Sequence, residues 1–232
     1  MNQLRYKMSE ELSLMGYSKK TNVAYVSAMK LLLEFNNKMP SDITETDIKK
    51  FLIYKRNQNL APSTMRIYRC AIHFFYTYIV LKDLKIAHVA STMPDVKLPN
   101  VLGVSEVEAL IKNAYNLKIQ TIIMLFYGTG IRLHELISIK LSDIDSPRMN
   151  IKILGKGKKE RYVPLNDILL KQLRNYWQKY RPREYLFETN DRTKKYSTRS
   201  IQHMFKLAKK KTGITKEGGP HMLRHSYATH LI

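Results

Sequence analysis

The sequence is poor in cysteine, in acidic residues and in long apolar runs. Its 232 residues include a single cysteine, Cys70, which excludes an internal disulfide and a cysteine-rich zinc site. The most apolar run, Ala71–Leu81, is too short to cross a bilayer, and the first residues lack the apolar core of a secretory signal. These absences favour a cytoplasmic protein that makes no membrane contact.

Basic residues greatly outnumber acidic ones. The chain contains 40 Lys and Arg against 19 Asp and Glu, a formal net charge of +21. Residues 1–98 carry 15 basic and 8 acidic side chains, and residues 99–232 carry 25 and 11. Because the excess is spread through segments that also contain core-forming residues, it indicates a folded protein with basic surfaces. Nucleic acid is the first candidate partner for such surfaces.

The N-terminal part of the chain has helical periodicity and no strand pattern. Ser18 is a suitable N-cap for a helix that runs to about Asn37. The segment Thr44–Asn57 begins with a weak capping box, and Pro62–Val80 continues the helical pattern. We expect a compact bundle of about four helices.

The pattern changes at Ser91–Asn100, which has two prolines and no helical period. This stretch is the best candidate for a linker in the chain. We therefore predict a first domain at residues 1–92, a linker at 93–98 and a second domain at 99–232.

The second domain combines helices with the only convincing strands. A helix is predicted to begin at Ser105, with Glu108 in the capping-box position. Two β-rich runs surround a Gly- and Lys-rich turn in Asn150–Leu165, which predicts a hairpin, and the preceding Ser142–Asp145 is a candidate third strand. The fold class is therefore mainly α, an α+β protein with a small three-stranded antiparallel sheet. Further helices are predicted over Asn166–Lys179, Thr198–Lys211 and the closing segment.

The closing segment, HMLRHSYATHLI, concentrates three histidines and one arginine. A rotation of about 100° per residue places His221, Arg224 and His225 on one polar face, with His230 on the opposite, core-facing side. Two histidines beside an arginine and without a glutamate make a poor metal site, and the face suits an anion such as phosphate better. A solvated polar helix face remains the alternative. The apolar side is predicted to hold Leu223, Tyr227 and Leu231.

Two other stretches place cations at turns. In YGTGIRLHELISI, Arg132 follows a glycine turn and precedes a helix that begins near Leu133, and Glu135 is spaced to steady it. The turn Gly155–Arg161 presents Lys156 from a hairpin, and it lacks the GxxxxGK[ST] pattern of a nucleotide-binding loop. Taken singly, each stretch is equally compatible with an ordinary helix start or a solvated basic turn.

The four basic residues Arg132, Lys156, His221 and Arg224 occur in an order and at separations that resemble the tyrosine recombinase (phage integrase) family, particularly its Xer-like bacterial branch. The resemblance covers nearly the whole chain. It implies that the first domain is the core-binding, SAM-like DNA-binding domain of the family and that the second is its catalytic domain. It also implies a site-specific recombinase that cleaves and rejoins DNA through a 3′-phosphotyrosyl link without a metal or other cofactor.

The resemblance implies a role for each residue. Arg132 and Arg224 are expected to grip the non-bridging oxygens of the scissile phosphate. Lys156 is expected to act as general acid toward the leaving 5′ oxygen, and His221 to transfer protons or hydrogen-bond the phosphate. Supporting positions are Glu135 and His225.

DNA contacts outside this site are expected on helix starts and polar faces, where phosphate binding and a solvated surface are about equally plausible. The resemblance further implies that the two domains clamp a duplex, that the full-length protein works as a homotetramer on its recombination site, and that it associates with the nucleoid in the cytoplasm. The candidate DNA-binding residues are Lys19, Lys20, Thr64, Arg66, Arg69, Lys158, Thr198 and Arg199.

The chain departs from the family pattern at its end. The nucleophilic tyrosine of the family lies well beyond the second arginine, whereas this sequence ends eight residues after Arg224, and Tyr227 is too close to it. We therefore expect a phosphate clamp without a nucleophile, and tetramer assembly only in a longer protein. A DNA-binding fragment or regulator that occupies recombination sites is the alternative function. A metal-dependent nuclease is disfavoured, because the acidic residues of the second domain form no recognisable cluster.

Overall fold

The structure is a computed structural model that divides the chain into two compact units, Met1–Val96 and Lys97–Ile232. The predicted linker at 93–98 lies outside the described residues, so the predicted domain limits stay a prediction. The described residues are 2–82, 84, 100–155, 157 and 159–231.

The first unit is helical, as predicted. The N-cap predicted at Ser18 is present, because its side chain accepts a hydrogen bond from the Thr21 N–H at 3.1 Å. The capping box of Thr44 and Asp47 is also formed in both directions, which satisfies N–H groups that the helix itself leaves unpaired. The helices are α1 (Asn2–Leu14), α2 (Lys19–Asn36), α3 (Glu45–Asn57) and α4 (Pro62–Phe74), with a 3₁₀ turn at Pro40–Asp42.

The fourth helix does not continue unchanged to Val80. It ends as an α-helix at Phe74, and Phe75–Val80 is a π-helical stretch. The wider π turn rotates less per residue, which keeps successive side chains closer to one face. Phe74, Phe75 and Tyr76 are all buried, so the change of helix type lets three consecutive aromatic side chains enter one core.

The second unit places a three-stranded sheet beside helices. Its first helix begins at Val104, not at Ser105, and Glu106 fills the position that the sequence pattern assigned to Glu108. The reason is that Gly103 is extended and donates its N–H to Glu106 Oε2 at 2.6 Å. The elements are α5 (Val104–Lys112), α6 (Leu117–Thr129), α7 (Leu133–Leu136), β1 (Ile144–Asp145), β2 (Asn150–Leu154), β3 (Glu160–Pro164), α8 (Asp167–Tyr180), α9 (Thr198–Lys211) and α10 (His221–His230).

The sheet has the order β1-β2-β3, and both strand pairs are antiparallel. This confirms the predicted hairpin and the third strand. Ile151 pairs with Val163, and both side chains are buried, as expected for the inward face of a sheet with period two. The next inward pair is Ile153 with Arg161, so a charged side chain occupies a core-facing position of β3.

Helix α6 forms the centre of the second core. Its buried residues include Ile122, Ile123 and Phe126, which face in several directions because neighbouring helices cover the helix on several sides. Helix α10 packs against α6 through Met222 and Leu223. No helix in the described part of the chain is long and apolar enough to span a membrane.

Candidate active site

The end of α6 carries Arg132 into the site. Helix α6 closes at Gly130, which has a left-handed backbone with φ of 58° and donates its N–H to the Phe126 carbonyl at 3.1 Å. The chain then extends through the buried Ile131 to Arg132, the N-cap of the short helix α7. The glycine turn thus ends α6 two residues before Arg132, whose side chain is 48 % exposed.

The Glu135 carboxylate holds this turn in place through hydrogen bonds. Its side chain is fully buried, and its carboxylate accepts hydrogen bonds from the Arg132 N–H at 2.7 Å and from Arg132 Nη1 at 3.1 Å. Burial opposes ionisation of Glu135, but hydrogen bonds from Arg161 and Arg132 outweigh it and lower the pKa to about 2. The predicted support of Arg132 by Glu135 therefore has a defined geometry.

Arg161 is a site residue that the sequence reasoning missed. Its two terminal nitrogens lie 3.0 Å and 2.8 Å from the two carboxylate oxygens of Glu135, a bidentate pair. The alternation of β3 could have identified it, because Arg161 stands two residues before Val163 on the inward face. A charged residue at an inward position needs a partner. We call Arg132, Glu135 and Arg161 the Glu135 cluster.

The start of α10 supplies a second group of basic side chains. Arg224 is partly buried, and His221 and His225 are exposed, so none of the three side chains is enclosed in the core. Arg224 Nη1 donates to the Gly130 carbonyl, which lies two residues before Arg132. We call His221, Arg224 and His225 the α10 cluster.

The charges of the two clusters act on each other. The pKa of Arg224 is lowered by burial and then by the positive charge of Arg132. The pKa of His221 is lowered by burial, by His225 and by Arg224, in that order. Since charge repulsion of this kind requires proximity, the two clusters form one positively charged site.

The prediction for His230 is wrong. This residue was predicted to face the core, but its side chain is exposed. Its Nδ1 lies 2.9 Å from the hydroxyl of Tyr127, and the two rings meet edge to face. The physical reason is that His230 belongs to the last turn of α10, where a partly buried tyrosine borders the helix. Leu231, predicted on the apolar side, is also 67 % exposed.

Tyr227 has a packing role. A Cβ atom built on Gly130 would lie 2.8 Å from Tyr227 Cε1 and closer still to Cδ1, so the tyrosine ring covers this glycine. Gly130 is needed here for its positive φ and for its missing side chain. The ring of Tyr227 thus holds α10 against the turn that leads to Arg132.

Lys156 and Lys158 lie outside the described residues, so their predicted roles stay predictions. The base of their turn is described. The Gly155 N–H donates to the Lys159 carbonyl at 2.8 Å and closes the loop. A Cβ at Gly155 would lie 3.7 Å from Glu135 Oε1, which places the start of this turn beside the Glu135 cluster.

The other candidate DNA contacts lie where their helices begin or along exposed faces. Lys19 and Lys20 form the exposed first turn of α2. In α4, Arg66 is exposed, whereas Thr64 and Arg69 are partly buried. Helix α9 begins with a partly buried threonine followed by an exposed arginine, the predicted contacts Thr198 and Arg199.

Within the described residues, no three His, Cys, Asp or Glu side chains come close enough to hold a metal ion. The site is instead made of arginines and histidines around one carboxylate. Such a set can bind and polarise an anion through charge-assisted hydrogen bonds.

Comparison with models of protein families identifies the family of this chain. Residues 100–232 match the model of the phage integrase family, and residues 4–86 match the N-terminal SAM-like domain of phage integrases. The chain belongs to the phage integrase family. Its relatives include the tyrosine recombinase XerD of Staphylococcus saprophyticus, 41 % identical over 60 % of this chain and 50 % of that protein. XerD of Oceanobacillus iheyensis is 30 % identical over 82 % of this chain and 69 % of its own length.

Solved structures of phage integrase family members share this fold. The XerA recombinase is 28 % identical, with a TM-score of 0.54 over 99 % of this chain and 84 % of that one. A lambda integrase dimer bound to a COC′ core site has a TM-score of 0.80 over 99 % and 88 % at 19 % identity. The XerH recombinase on its difH substrate reaches 0.76 over 90 % and 68 % at 22 % identity. The predicted fold class, a SAM-like helical domain followed by a mostly helical catalytic domain with a small sheet, is thereby confirmed.

Proposed function

We propose that this chain binds DNA and activates a phosphate in site-specific DNA recombination. The reaction is cleavage and rejoining of a duplex through a 3′-phosphotyrosyl intermediate, in the cytoplasm and in association with the nucleoid. The observation that carries the proposal is the hydrogen bond from Arg224 to the Gly130 carbonyl, because it joins the α10 cluster to the turn that presents Arg132.

In the proposed reaction, Arg132 and Arg224 bind the two non-bridging oxygens of one phosphate. Attack on the phosphorus adds negative charge to these oxygens, so guanidinium groups that are already in place stabilise the transition state more than the ground state. His221 hydrogen-bonds the same phosphate, and Lys156 protonates the leaving 5′ oxygen. The site needs no metal for this chemistry, since the arginines supply the positive charge.

The arrangement of basic residues supports DNA binding by both units. The basic residues at the starts of α2 and α9 lie on exposed helix ends, from which they reach backbone phosphates. Related structures include a dimer and a tetramer of lambda integrase on DNA. We propose the same type of partner, a duplex recombination site, and assembly as a homotetramer for a protein that carries all catalytic groups.

The proposed phosphate site is tested by DNA affinity and its salt dependence. Arg132→Ala and Arg224→Ala should each weaken binding to a duplex of about three helical turns, and each should lower the slope of log affinity against log salt by about one. Arg148→Ala is the matched control, because Arg148 is 81 % exposed and pairs with Asp145 in the same unit. Unchanged slopes in both site variants would exclude the proposed clamp. Affinities that fall with salt and are equal for a recombination site and a random duplex would show binding without sequence recognition.

We further propose that none of the tyrosines in this chain is the nucleophile. Tyr227 is the one nearest in sequence to Arg224, and its ring packs on Gly130. Incubation of the 232-residue chain with a nicked suicide duplex should therefore give no covalent adduct. An adduct that Tyr227→Phe removes would contradict this assignment and make the chain a complete cleaving enzyme.

A further inference from the structure

Arg161 stands at a position where the sheet should carry an apolar side chain. In β3, Val163 is buried and the flanking Tyr162 is exposed, so the inward face includes Arg161. Its cross-strand neighbour Ile153 is 1 % exposed. Placing a guanidinium here carries a desolvation cost that two hydrogen bonds to the Glu135 carboxylate offset.

The same carboxylate holds Arg132, so the two arginines share one anchor. Glu135 Oε1 accepts from both Arg132 and Arg161, and Oε2 accepts from the Arg132 N–H and from Arg161. A carboxylate with four donors has little freedom to rotate. Arg161 therefore fixes the orientation of the group that orients Arg132.

Arg161 also joins this anchor to the hairpin turn. A Cβ at Gly155 would lie 3.4 Å from Arg161 Nη1 and 3.2 Å from the Lys159 carbonyl, so the backbone of the turn packs directly on the guanidinium. The absence of a side chain at Gly155 allows this approach. Gly155, at the start of the turn, thus lies beside the Arg161–Glu135 pair.

We propose that Arg161 is a positioning residue of the phosphate site, which fixes the orientation of Glu135 and thereby sets the direction of the Arg132 guanidinium. The inference rests on the proposed function, because it assigns Arg132 to a DNA phosphate. Arg161 acts through Glu135 and does not itself contact the phosphate. Its removal should consequently have no effect once Arg132 is gone.

A double-mutant cycle on DNA affinity tests this. Arg161→Gln should weaken binding of the 232-residue chain to a fluorescein-labelled duplex by about tenfold, through the misplaced Arg132. In an Arg132→Ala background, Arg161→Gln should change the affinity by less than about twofold. Equal losses in both backgrounds, together with a salt slope lower by about one, would mean a direct phosphate contact and would overturn the proposal.

Two further readouts separate positioning from a purely structural role. Arg161→Lys keeps the charge but loses the bidentate geometry, and it should recover only part of the affinity. In Arg161→Gln the charged groups that face Glu135 are reduced to Arg132 and the nearby Arg224, so the pKa of Glu135 rises, and DNA affinity should gain less than in the wild type as the pH falls from about 7 to 5. A pH profile parallel to that of the wild type would overturn the proposal.

The outcomes also separate this inference from the proposed function. If Arg132→Ala alone leaves DNA affinity unchanged, the phosphate clamp fails, whatever Arg161 does. If Arg132→Ala weakens binding but Arg161→Gln does not, the clamp stands and the positioning role of Arg161 is wrong. Circular dichroism and thermal unfolding show whether each variant is folded, so that DNA affinities are compared between folded proteins only.

Discussion

The Glu135 cluster and the α10 cluster both present cations to the site, but they are stabilised in different ways. In the Glu135 cluster a buried carboxylate balances two arginines through four hydrogen bonds. In the α10 cluster Arg224 donates to the neutral Gly130 carbonyl, and burial together with neighbouring positive charge lowers the pKa of both His221 and Arg224. The first cluster is thus held by its own carboxylate, whereas the second contains no carboxylate and leaves its positive charge for a bound anion to balance.

This difference separates stability from affinity. Loss of the Glu135 carboxylate should mainly lower the free energy of unfolding, because it breaks the ion pairs that a buried group makes with two arginines. Changes at Arg132 and Arg161 should also alter DNA affinity. Changes at the surface of α10 should mainly alter anion affinity and its pH dependence. Substitutions in each region test whether the two clusters differ in this way.

Glu135→Gln should have the largest effect. It removes the charge that two arginines share, and we expect the second unit to lose about 4 kcal/mol of its free energy of unfolding. Urea unfolding followed by the fluorescence of Trp177 measures this directly, since the only tryptophan of the chain lies in α8 of that unit.

Glu160→Gln is the matched control for Glu135→Gln. Glu160 pairs with Lys152 at 3.5 Å on the same hairpin, and the two side chains are 55 % and 40 % exposed. Its replacement should cost less than about 1 kcal/mol. Equal losses in the two variants would show that the Glu135 cluster is no more than a surface ion pair.

Gly130→Ala should follow in magnitude. The substitution places a Cβ against the Tyr227 ring and adds the strain of a positive φ, so we expect a loss of about 2–3 kcal/mol and weaker DNA binding as α10 moves away. Gly213→Ala isolates the strain, because Gly213 has a φ of 71° and a Cβ added there would meet no atom within 4 Å. It should cost about 1 kcal/mol. If both variants lose the same stability, the contact with Tyr227 contributes nothing.

Ser226→Ala tests the contribution of uncharged hydrogen bonds to the packing of α10. Ser226 is fully buried, and its Oγ accepts the Leu102 N–H at 2.8 Å and donates to the Met222 carbonyl. Its removal leaves a buried N–H without a partner, at a cost of about 1–2 kcal/mol. On the same helix, Thr229→Ala should change stability by less than about 0.5 kcal/mol, because Thr229 is exposed. Similar losses in both would contradict an anchoring role for Ser226.

The sequence was sufficient for elements that depend on local signals. The caps at Ser18 and Thr44 and the alternation of Asn150–Leu165 are decided within a few residues, and the structure contains all three. The start of α5 was misplaced by one residue because Gly103 offers no side-chain cap, so that only the Glu106 contact defines it. The π-helical stretch at Phe75–Val80 depends on tertiary packing of aromatic side chains, which periodicity does not register.

The candidate site was predictable only in part, for a related reason. The pairing of Arg132 with Glu135 spans three residues and follows from helix geometry. The partner role of Arg161 spans 26 residues of sequence and depends on the register of β3. The exposure of His230 depends on where α10 leaves the core, a property of the neighbouring Tyr127 and of the helix end. Contacts between residues far apart in sequence therefore could not be predicted from helical projection.

The protonation of His221 gives the smallest effect and the most direct test of the excess charge at α10. Burial, then His225 and Arg224, lower its pKa below the ordinary value, so the folded protein favours the neutral ring. This contribution to stability is present above about pH 6.5 and is lost as the pH falls through the folded-state pKa. A bound phosphate is negatively charged and raises the pKa of His221. His221 should therefore take up a proton when DNA binds.

DNA affinity should therefore rise by about threefold as the pH falls from about 7.5 to 6 at constant ionic strength. His221→Gln should remove most of this rise, whereas the exposed His203 of α9 provides a control whose replacement by Gln should retain it. Fluorescence anisotropy gives the affinities, and the ring proton of His221 in NMR spectra reports its titration with and without DNA. If the His221 pKa stays unchanged on DNA binding, the ring does not face a phosphate. The excess charge of the α10 cluster would then be carried by Arg224 alone, and the pH dependence would belong to another residue.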